Sequence, residues 1–291
     1  MSAPKISVII PLFNKEESIS STVISVLNQT FQNFELLIID DGSTDNSLEV
    51  LSKFNDNRIK IVSKTNGGVS EARNYGVEIS SSEYIFFLDA DDIITDFCLS
   101  VFNDLIEKYN EAFVFVANFK VINSTGIEYI YCSGNKEMLV NNNFKALWTN
   151  NVFPRTGSMV VKKNCFRDVG SFNTKISLYE DLDFILKLFR SYTVVYSPKI
   201  VLSYICEFNS LSQKITSITN EFSYYANFKD KCFYERLILS ENVYNSYKKR
   251  IRQGDKEGVV FLKKKLKKYY TYVIIAVFYR KKINFLKKYH F

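Results

Sequence analysis

Apolar runs with strand character alternate with helical segments over residues 5–122, and this alternation constrains the fold more than any other feature. The runs are rich in β-branched and aromatic residues, and they cover 5–13, 34–39, 58–63, 84–88 and 112–122. The segments between them carry apolar residues at helical spacing, which predicts one helix over Glu16–Gln29 and another directly after a cap at Ser43, Thr44 or Asp45. Such alternation predicts an α/β fold with a doubly wound, mostly parallel sheet, in which ligands bind beyond the carboxyl ends of the strands.

Acidic clusters follow two of the predicted strands. The first is Asp40-Asp41 after Ile39, and the second is Asp89-Ala90-Asp91-Asp92 after Leu88. Three carboxylates within four residues repel one another, so we expect a divalent cation, together with a diphosphate, to offset the cost of holding them together. An extended chain places Asp89 and Asp91 on the same side. A solvated strand end with a helix cap at Asp92 is the alternative.

Oxygen ligands are the ones available for such a cation, because the single histidine, His290, stands beside the last residue and the five cysteines are scattered. Oxygen ligands favour a hard cation such as Mg²⁺ or Mn²⁺. The scattered cysteines contain no C-x-x-C pair, which is typical of a protein in a reducing cytosol.

A glycine pair at Gly67-Gly68, after Asn66, precedes a predicted helix and lets backbone N–H groups approach a phosphate. Arg73, one turn into that helix, can pair with a phosphate oxygen or with an aspartate. The alternative is a plain glycine loop with a surface arginine. Neither phosphate-binding glycine signature, G-x-x-x-x-G-K-[ST] or G-x-G-x-x-G, is present in this loop.

Acidic residues open a later predicted helix, at Glu180, Asp181 and Asp183. Such residues ordinarily stabilise a helix amino terminus. In the functional interpretation, Asp181 is a general base that takes a proton from an acceptor hydroxyl. Asp41 has a similar pair of interpretations, as part of a turn or as the acceptor of a hydrogen bond from a nucleobase on which Phe13 stacks.

Taken in order, these motifs resemble the family-2 glycosyltransferases of the GT-A fold over about residues 5–207. The matching stretches are ISVIIPLFN, LNQTFQNFELLIIDDGSTD, NGGVSEARNYG, EYIFFLDADD, GSMVVKK, GSFN and YEDLDFILKL. The resemblance implies a GT-A type α/β fold that transfers a sugar from a nucleotide-sugar donor. Some related enzymes supply a late histidine as a metal ligand, and this chain has none in reach, so we expect metal binding to depend on the donor diphosphate.

The resemblance also implies roles for individual residues. Asp91 is the expected ligand of Mn²⁺ or Mg²⁺, Asp181 is the expected catalytic base, and Glu180 and Asp92 are placed on the acceptor side. The residues expected to bind the donor nucleotide-sugar are Pro11, Phe13, Asp41, Asn66, Gly68, Arg73, Asp89 and Ala90.

The reaction expected from this resemblance is an inverting transfer with a β-linked product. The donor is a UDP-hexose or UDP-N-acetylhexosamine, and the acceptor is a hydroxyl of a glycan or of a lipid-diphosphate-linked sugar in O-antigen or capsule biosynthesis. One alternative is a catalytically silent sugar-nucleotide-binding protein. A nucleotidyltransferase ranks last, because the loop after the first strand reads Pro11-Leu12-Phe13-Asn14 and not a glycine-rich sequence.

The domain organisation follows from these patterns. We expect a catalytic domain at 1–217, divided into a nucleotide-sugar half at 1–123 and an acceptor half at 124–217, and a helical, basic extension at 218–291. Lysines concentrate after Lys248 in a chain of net charge +7.

The apolar run 269–279 in this extension is too short to span a bilayer. It suits either shallow insertion into an anionic leaflet or a buried helix that closes the catalytic domain. With no secretory signal recognised, we expect a cytoplasmic protein, peripheral on the inner membrane, with no nucleic-acid partner.

Overall fold

A computed structural model describes residues 4–123, 126–205 and 216–289 of the chain. The chain divides into two compact units, Met1–Ser210 and Leu211–Phe291. The predicted domain boundary after residue 217 lies shortly beyond this division and stays a prediction. His290 lies outside the described residues.

The first unit alternates strands and helices as the sequence predicts. Its strands are β1 (Ile6–Leu12), β2 (Phe34–Asp40), β3 (Ile59–Ser63), β4 (Tyr84–Phe87), β5 (Ile93–Ile94), β6 (Val114–Ile122), β7 (Glu128–Ile130), β8 (Met138–Leu139), β9 (Met159–Lys162) and β10 (Val194–Ile205). Its helices are α1 (Ile19–Leu27), α2 (Ser47–Leu51), α3 (Val69–Ile79), α4 (Cys98–Lys108), α5 (Asn143–Trp148), α6 (Cys165–Val169) and α7 (Glu180–Ser191).

One sheet carries these strands, in the order β3-β2-β1-β4-β9-β6-β10-β5, with β7 paired to β6 and β8 to β10. Neighbours from β3 to β4 are parallel, as are β6 and β10, whereas β9 is antiparallel to both β4 and β6. The strands β1, β2 and β4 are almost fully buried, which explains their continuous apolar runs. The α/β class with a central, mostly parallel sheet is therefore confirmed.

The carboxyl ends of β1, β2 and β4 meet at one edge of the sheet. Leu12 pairs with Asp40 in the register of β1 and β2, and the backbone N–H of Asp41 donates to the carbonyl of Leu12 at 2.8 Å. The N–H of Leu88 donates to the carbonyl of Ile9 at 3.0 Å. Both acidic clusters therefore emerge at the same edge.

Helix α3 packs closely on β1 and β2 because residue 76 is a glycine. A Cβ built on Gly76 would lie 2.5 Å from Cγ2 of Ile9, so only a glycine allows this approach without displacing core atoms. Arg73 precedes Gly76 by about one turn and lies on the same side of the helix. The close packing therefore carries the Arg73 side chain toward the sheet.

Two predicted helix starts are corrected. The helix expected from Glu16 begins at Ile19, so its two glutamates precede it, and Glu16 instead accepts a hydrogen bond from the N–H of Asn46 at 2.8 Å. The helix expected directly after residues 43–45 begins at Ser47, whose N–H donates to the Asp45 carboxylate at 3.0 Å. Residues of these two loops therefore form hydrogen bonds ahead of the first turn of each helix.

The second unit is helical. It comprises a 3₁₀ helix (Ile218–Asn220), α8 (Phe222–Tyr225), α9 (Phe233–Arg252), α10 (Lys256–Lys268) and α11 (Tyr270–Tyr289). Helix α9 contacts each of the other α-helices of the unit. Arg250 on α9 is buried and forms ion pairs with Glu221, at 2.5 Å, and with Asp255. Within the described residues, no helix is both long and apolar enough to cross a bilayer.

The apolar run in the tail forms most of the first half of α11. Its Val273 and Ala276 are buried, whereas Tyr270, Ile275 and Phe278 are exposed. The helix is therefore apolar on both its buried and its exposed sides, and both alternatives offered for it from the sequence stay predictions.

Candidate active site

The second acidic cluster forms a turn and not an extended strand end. The N–H of Asp92 donates to the carbonyl of Asp89 at 3.1 Å, which reverses the chain between them. The hydroxyls of Ser18 and Thr22 on the α1 side both donate to the Ala90 carbonyl, at 3.0 Å, and hold the turn in place. The expectation of an extended chain through Asp89 and Asp91 is wrong for this reason.

Asp89 is bound to two side chains from distant parts of the chain. One oxygen accepts from Arg73 at 2.8 Å, and the other accepts from the Thr156 hydroxyl at 2.9 Å. Burial acts to raise the pKa of Asp89, but the charges of Arg73 and then Arg155 outweigh it and hold that pKa below its usual range. Asp89 is therefore ionised and fixed in orientation.

Arg73 joins Asp89 to the acidic start of helix α7. Its Nη1 donates to Glu180 at 2.9 Å while its Nη2 donates to Asp89, and the side chain is only 4% exposed. Of the two partners expected for Arg73, the structure shows the carboxylate. Burial works against the charged guanidinium, but Asp89 and Glu180 more than compensate and raise the pKa of Arg73.

Glu180 and Asp181 open helix α7 after Tyr179, whose backbone is left-handed with φ 64°. Burial raises the pKa of Glu180, against the lowering effect of Arg73, and the neighbouring Asp181 adds to the rise. Asp181 is part of the same charge cluster, because its carboxylate also acts on the guanidinium groups of Arg73 and Arg155. The fold thus gathers Asp89, Glu180 and Asp181 around the buried Arg73 and the partly buried Arg155.

Arg155 was missed by the sequence interpretation. Its guanidinium lies 3.3 Å from the centroid of the Tyr204 ring, and its charge acts on Asp92 and Asp89. Asp92 is buried, with no hydrogen-bond partner for Oδ2 among the described residues. Burial, and then the Asp89 carboxylate, raise the pKa of Asp92 well above its usual range.

Asp91 pairs with a different cation from Asp89. Its Oδ2 lies 2.5 Å from Nζ of Lys15, and the two side chains are 44% and 40% exposed. The three carboxylates of the turn therefore each have a protein cation nearby: Arg73 for Asp89, Lys15 for Asp91 and Arg155 for Asp92. These side chains offset part of the repulsion for which the sequence analysis expected a metal, and the metal stays a prediction.

The described residues contain no group of three or more His, Cys, Asp or Glu side chains arranged to hold a metal. The half-exposed carboxylate of Asp91 is the accessible oxygen donor at the turn, whereas Asp89 is committed to Arg73 and Thr156. A hard cation at Asp91 would therefore need further oxygen ligands from a bound diphosphate.

The first acidic cluster organises the glycine loop. The buried carboxylate of Asp41 accepts hydrogen bonds from the backbone N–H groups of Gly67, at 2.9 Å, and Gly68, at 2.7 Å, and from Lys64 at 2.7 Å. These two N–H groups are paired with Asp41, and the role of the glycine loop toward a phosphate stays a prediction. A carboxylate has about four acceptor positions, which leaves about one on Asp41 for another donor.

The remaining predicted donor-site residues lie at the same edge of the sheet. Pro11 is in β1 opposite Ile39, and Phe13, directly after β1, is 46% exposed. Asn66 is exposed in the loop before Gly67. The structure thus brings the predicted residues to one edge, where Phe13 and Asp91 face solvent while Asp41 and Arg73 are buried.

Comparison with known proteins identifies the family of this chain. The family model for glycosyl transferase family 2 matches residues 7–170. An uncharacterized glycosyltransferase of Haemophilus influenzae is 43% identical over 111 residues, which cover 37% of this chain and 42% of that protein. The Escherichia coli UDP-Glc:alpha-D-GlcNAc-diphosphoundecaprenol beta-1,3-glucosyltransferase WfgD is 37% identical over 123 residues, which cover 42% of this chain and 48% of that protein. The chain thus spans less than half the length of either relative.

A solved structure shares the fold. Residues 1–349 of TarS from S. aureus, in complex with UDP-GlcNAc, superpose with a TM-score of 0.66 at 20% identity, covering 83% of this chain and 67% of that one. The family model covers more than half of the chain and includes both acidic clusters, the glycine loop and Arg73. The chain belongs to glycosyl transferase family 2.

Proposed function

We propose that this chain is an inverting glycosyltransferase that moves a hexose or N-acetylhexosamine from a UDP-sugar to a hydroxyl group. The observation that carries the proposal is the bridge through Arg73, which ties Asp89 at the end of β4 to Glu180 beside Asp181. A donor-binding carboxylate and a candidate base are thereby held in one charge cluster. The relatives support the UDP donor, since WfgD is named for UDP-Glc and the TarS structure holds UDP-GlcNAc.

Different residues at the sheet edge serve donor binding and proton transfer. In this proposal Phe13 stacks on the base, the remaining acceptor position of Asp41 takes a hydrogen bond from it, and Pro11, Asn66, Gly68 and Ala90 line the nucleotide site. Asp89, fixed by Arg73 and Thr156, orients the ribose or the donor sugar. Glu180 and Asp92 lie on the acceptor side.

The acceptor hydroxyl loses its proton to Asp181 as it attacks the anomeric carbon. The carbon–oxygen bond to the diphosphate breaks as the new glycosidic bond forms, through an oxocarbenium-like transition state. A single displacement inverts the anomeric centre, so an α-linked donor yields a β-linked product. Arg73 holds Glu180 away from the attacking oxygen and keeps the start of α7 in position.

A divalent cation fits this site only as a partner of the donor. Asp91 would hold Mn²⁺ or Mg²⁺ together with oxygens of the diphosphate, because the described residues offer no complete ligand set. When bound, the cation supplies positive charge that stabilises the leaving diphosphate.

A panel of nucleotide sugars tests the proposal. UDP-hexoses and UDP-N-acetylhexosamines with Mn²⁺ are expected to raise the melting temperature, because a ligand at about 100 times its dissociation constant stabilises the fold by roughly 2.7 kcal/mol. GDP- and dTDP-sugars and UDP-sugars with EDTA serve as controls, and release of UDP in the presence of acceptor reports turnover. Absence of stabilisation by any nucleotide sugar would falsify the proposal.

We also propose that the acceptor is a glycan or a lipid-diphosphate-linked sugar in O-antigen or capsule assembly at the cytoplasmic face of the inner membrane. WfgD is named for a diphosphoundecaprenol-linked acceptor. The second unit suits an anionic leaflet, because lysines and apolar residues share its exposed surface. On α10 and α11 this surface comprises Val260, Phe261, Lys263, Lys264, Lys267, Lys268, Tyr270, Ile275 and Phe278.

Vesicle binding tests the membrane part of this proposal. Replacing Lys263, Lys264, Lys267 and Lys268 of α10 by glutamine is expected to weaken binding to phosphatidylglycerol vesicles by roughly 10²–10³-fold, at about 1 kcal/mol per lysine near the surface. Lys265 is left intact, because it donates to the Ser223 and Tyr224 carbonyls and burial lowers its pKa to about 8. Replacing the exposed Lys53 and Lys60 of the first unit is the control. Equal binding by all variants in co-sedimentation would show that these four lysines are not the membrane anchor.

A further inference from the structure

Arg155 stands on a turn directly before β9 whose backbone is fixed by hydrogen bonds. Its N–H donates to the Ser158 hydroxyl at 3.1 Å, and its carbonyl accepts from the N–H of Ser158 at 2.9 Å. The next residue ties this turn to the end of β4, because the Thr156 hydroxyl donates to Asp89 at 2.9 Å. The Arg155 side chain therefore starts from a fixed point at the edge of the sheet where the acidic clusters meet.

The guanidinium of Arg155 is oriented by an aromatic ring and not by an ion pair. It lies 3.3 Å from the centroid of the Tyr204 ring on β10. Within the described part of the chain it donates no hydrogen bond, and Nε is buried whereas the two terminal nitrogens keep access to solvent. Arg73 is the opposite case, since both of its terminal nitrogens are bound to carboxylates. Arg155 therefore holds two oriented donors that a ligand can reach.

The carboxylates around Arg155 indicate which kind of ligand oxygen suits it. Its charge acts on Asp92, Asp89 and Asp181, although it forms no ion pair with them. These carboxylates already balance the guanidinium charge, so a neutral oxygen fits better than another anion. A sugar hydroxyl accepts from an arginine N–H and still has a proton to donate to a carboxylate. Because Asp181 is the candidate base, such a hydroxyl belongs to the acceptor.

We propose that Arg155 recognises the acceptor sugar, donating hydrogen bonds from its two terminal nitrogens to hydroxyls that neighbour the attacking one. The proposal rests on the proposed function and adds to it a residue that selects the acceptor. A planar guanidinium presents its donors in a fixed fork, so it matches two oxygens on adjacent ring carbons. An acceptor held in this way presents its attacking hydroxyl to Asp181 in one orientation.

Steady-state transfer by Arg155→Gln tests the proposal. The acceptors are hexoses and N-acetylhexosamines linked through diphosphate to an alkyl chain, and the one that the unsubstituted chain uses fastest is chosen. Arg155→Gln is expected to lower kcat/KM for this acceptor by about 10–10²-fold, mainly through KM, because charged hydrogen bonds to the acceptor are lost. The affinity for UDP, measured by calorimetric titration, is expected to change by less than about twofold. Arg167→Gln, which alters an exposed arginine, is the control and should change neither quantity.

Arg155→Lys separates contact with the acceptor from an effect of charge. Lysine keeps a positive charge near Asp181 but lacks the planar fork, so it is expected to recover only a minor part of the acceptor KM. Full recovery of that KM by lysine would show that Arg155 acts through its charge, and it would overturn the proposal.

Monodeoxy forms of the same acceptor, each lacking one hydroxyl other than the attacking one, locate the contact. Loss of a hydroxyl bound by Arg155 is expected to lower kcat/KM about tenfold with the unsubstituted chain and to have little further effect with Arg155→Gln, because both changes remove the same interaction. Additive losses for every deoxy acceptor, or a loss of UDP affinity as large as the loss of acceptor binding, overturn the proposal. A failure of the proposed function is distinguishable, because no acceptor would then be glycosylated even by the unsubstituted chain.

Discussion

Arg73→Gln is expected to lower the free energy of unfolding of the chain by about 3–5 kcal/mol and to reduce sugar transfer by about 10²-fold or more. The guanidinium is almost fully buried and bonds to Asp89 and Glu180 at once. Glutamine leaves those two carboxylates close together without their cation, and it also releases the start of α7 that carries Asp181. Chemical denaturation and a transfer assay measure the two effects.

Low pH reduces the loss of stability that Arg73→Gln causes. Arg73 holds the pKa of Asp89 below its usual range, so the stabilisation is present above the unfolded pKa of about 3.9 and is lost as the pH falls through the folded value. The difference between Arg73→Gln and the unsubstituted chain should therefore be largest near neutral pH and shrink below about pH 4.

Two further variants distinguish the loss of the Arg73 bridge from a general loss of positive charge. Adding Glu180→Gln to Arg73→Gln removes one of the stranded carboxylates, so part of the stability should return while transfer stays low. Arg167→Gln, whose side chain is 83% exposed, is the matched control and should change stability by less than about 1 kcal/mol. A loss of stability no larger for Arg73→Gln than for Arg167→Gln would contradict the buried bridge.

The edge of the sheet where the site forms could be predicted from the sequence. Parallel strands carry their carboxyl ends to one edge, so acidic residues directly after β2 and β4 must lie near each other. Asp41 and Asp89 follow this rule, and the fold class is confirmed by the structure. The position of Arg73, one turn into the helix after the glycine loop, was also open to prediction, and a carboxylate was one of its two expected partners.

The cations that neutralise the turn could not be predicted by local pattern. Lys15 pairs with Asp91 across 76 positions in the chain, and the pairing depends on the backbone of two loops. A signal did exist, because Lys15 follows β1, and the topology brings the end of β1 beside the end of β4. A search for lysines close to the three carboxylates at that edge of the sheet would have identified Lys15.

Arg155 was missed because the direction of β9 is not visible in its sequence. The strand runs antiparallel to β4, with Phe86 opposite Val160. The residues before β9 therefore lie beyond the carboxyl end of β4, and the N–H of Gly157 donates to the Phe87 carbonyl at 2.6 Å. This reversal delivers Arg155 and Thr156 to the acidic turn.

Asp181→Asn is expected to reduce sugar transfer by about 10²–10⁴-fold while donor binding stays nearly unchanged. Of the two acidic residues that open α7, Glu180 is committed to Arg73. Among the described residues no ion pair within 4.0 Å involves Asp181, so its carboxylate is the one available to accept a proton. Asparagine keeps the size of the side chain and removes the basic oxygen, which should affect the acceptor proton and not the nucleotide.

Asp183→Asn provides the matched control, since it lies in the same first turn of α7. Its carboxylate pairs with Lys187 at 2.7 Å along the helix, so the same chemical change should leave most of the transfer activity intact. Turnover with saturating acceptor and UDP-sugar affinity by titration are the two measurements. Equal losses in both variants would mean that the first turn of α7 matters as a whole, whereas undiminished transfer by Asp181→Asn would remove its carboxylate as the base. A loss of transfer in Asp181→Asn alone, with the donor still bound, would instead identify the Asp181 carboxylate as the group that removes the acceptor proton.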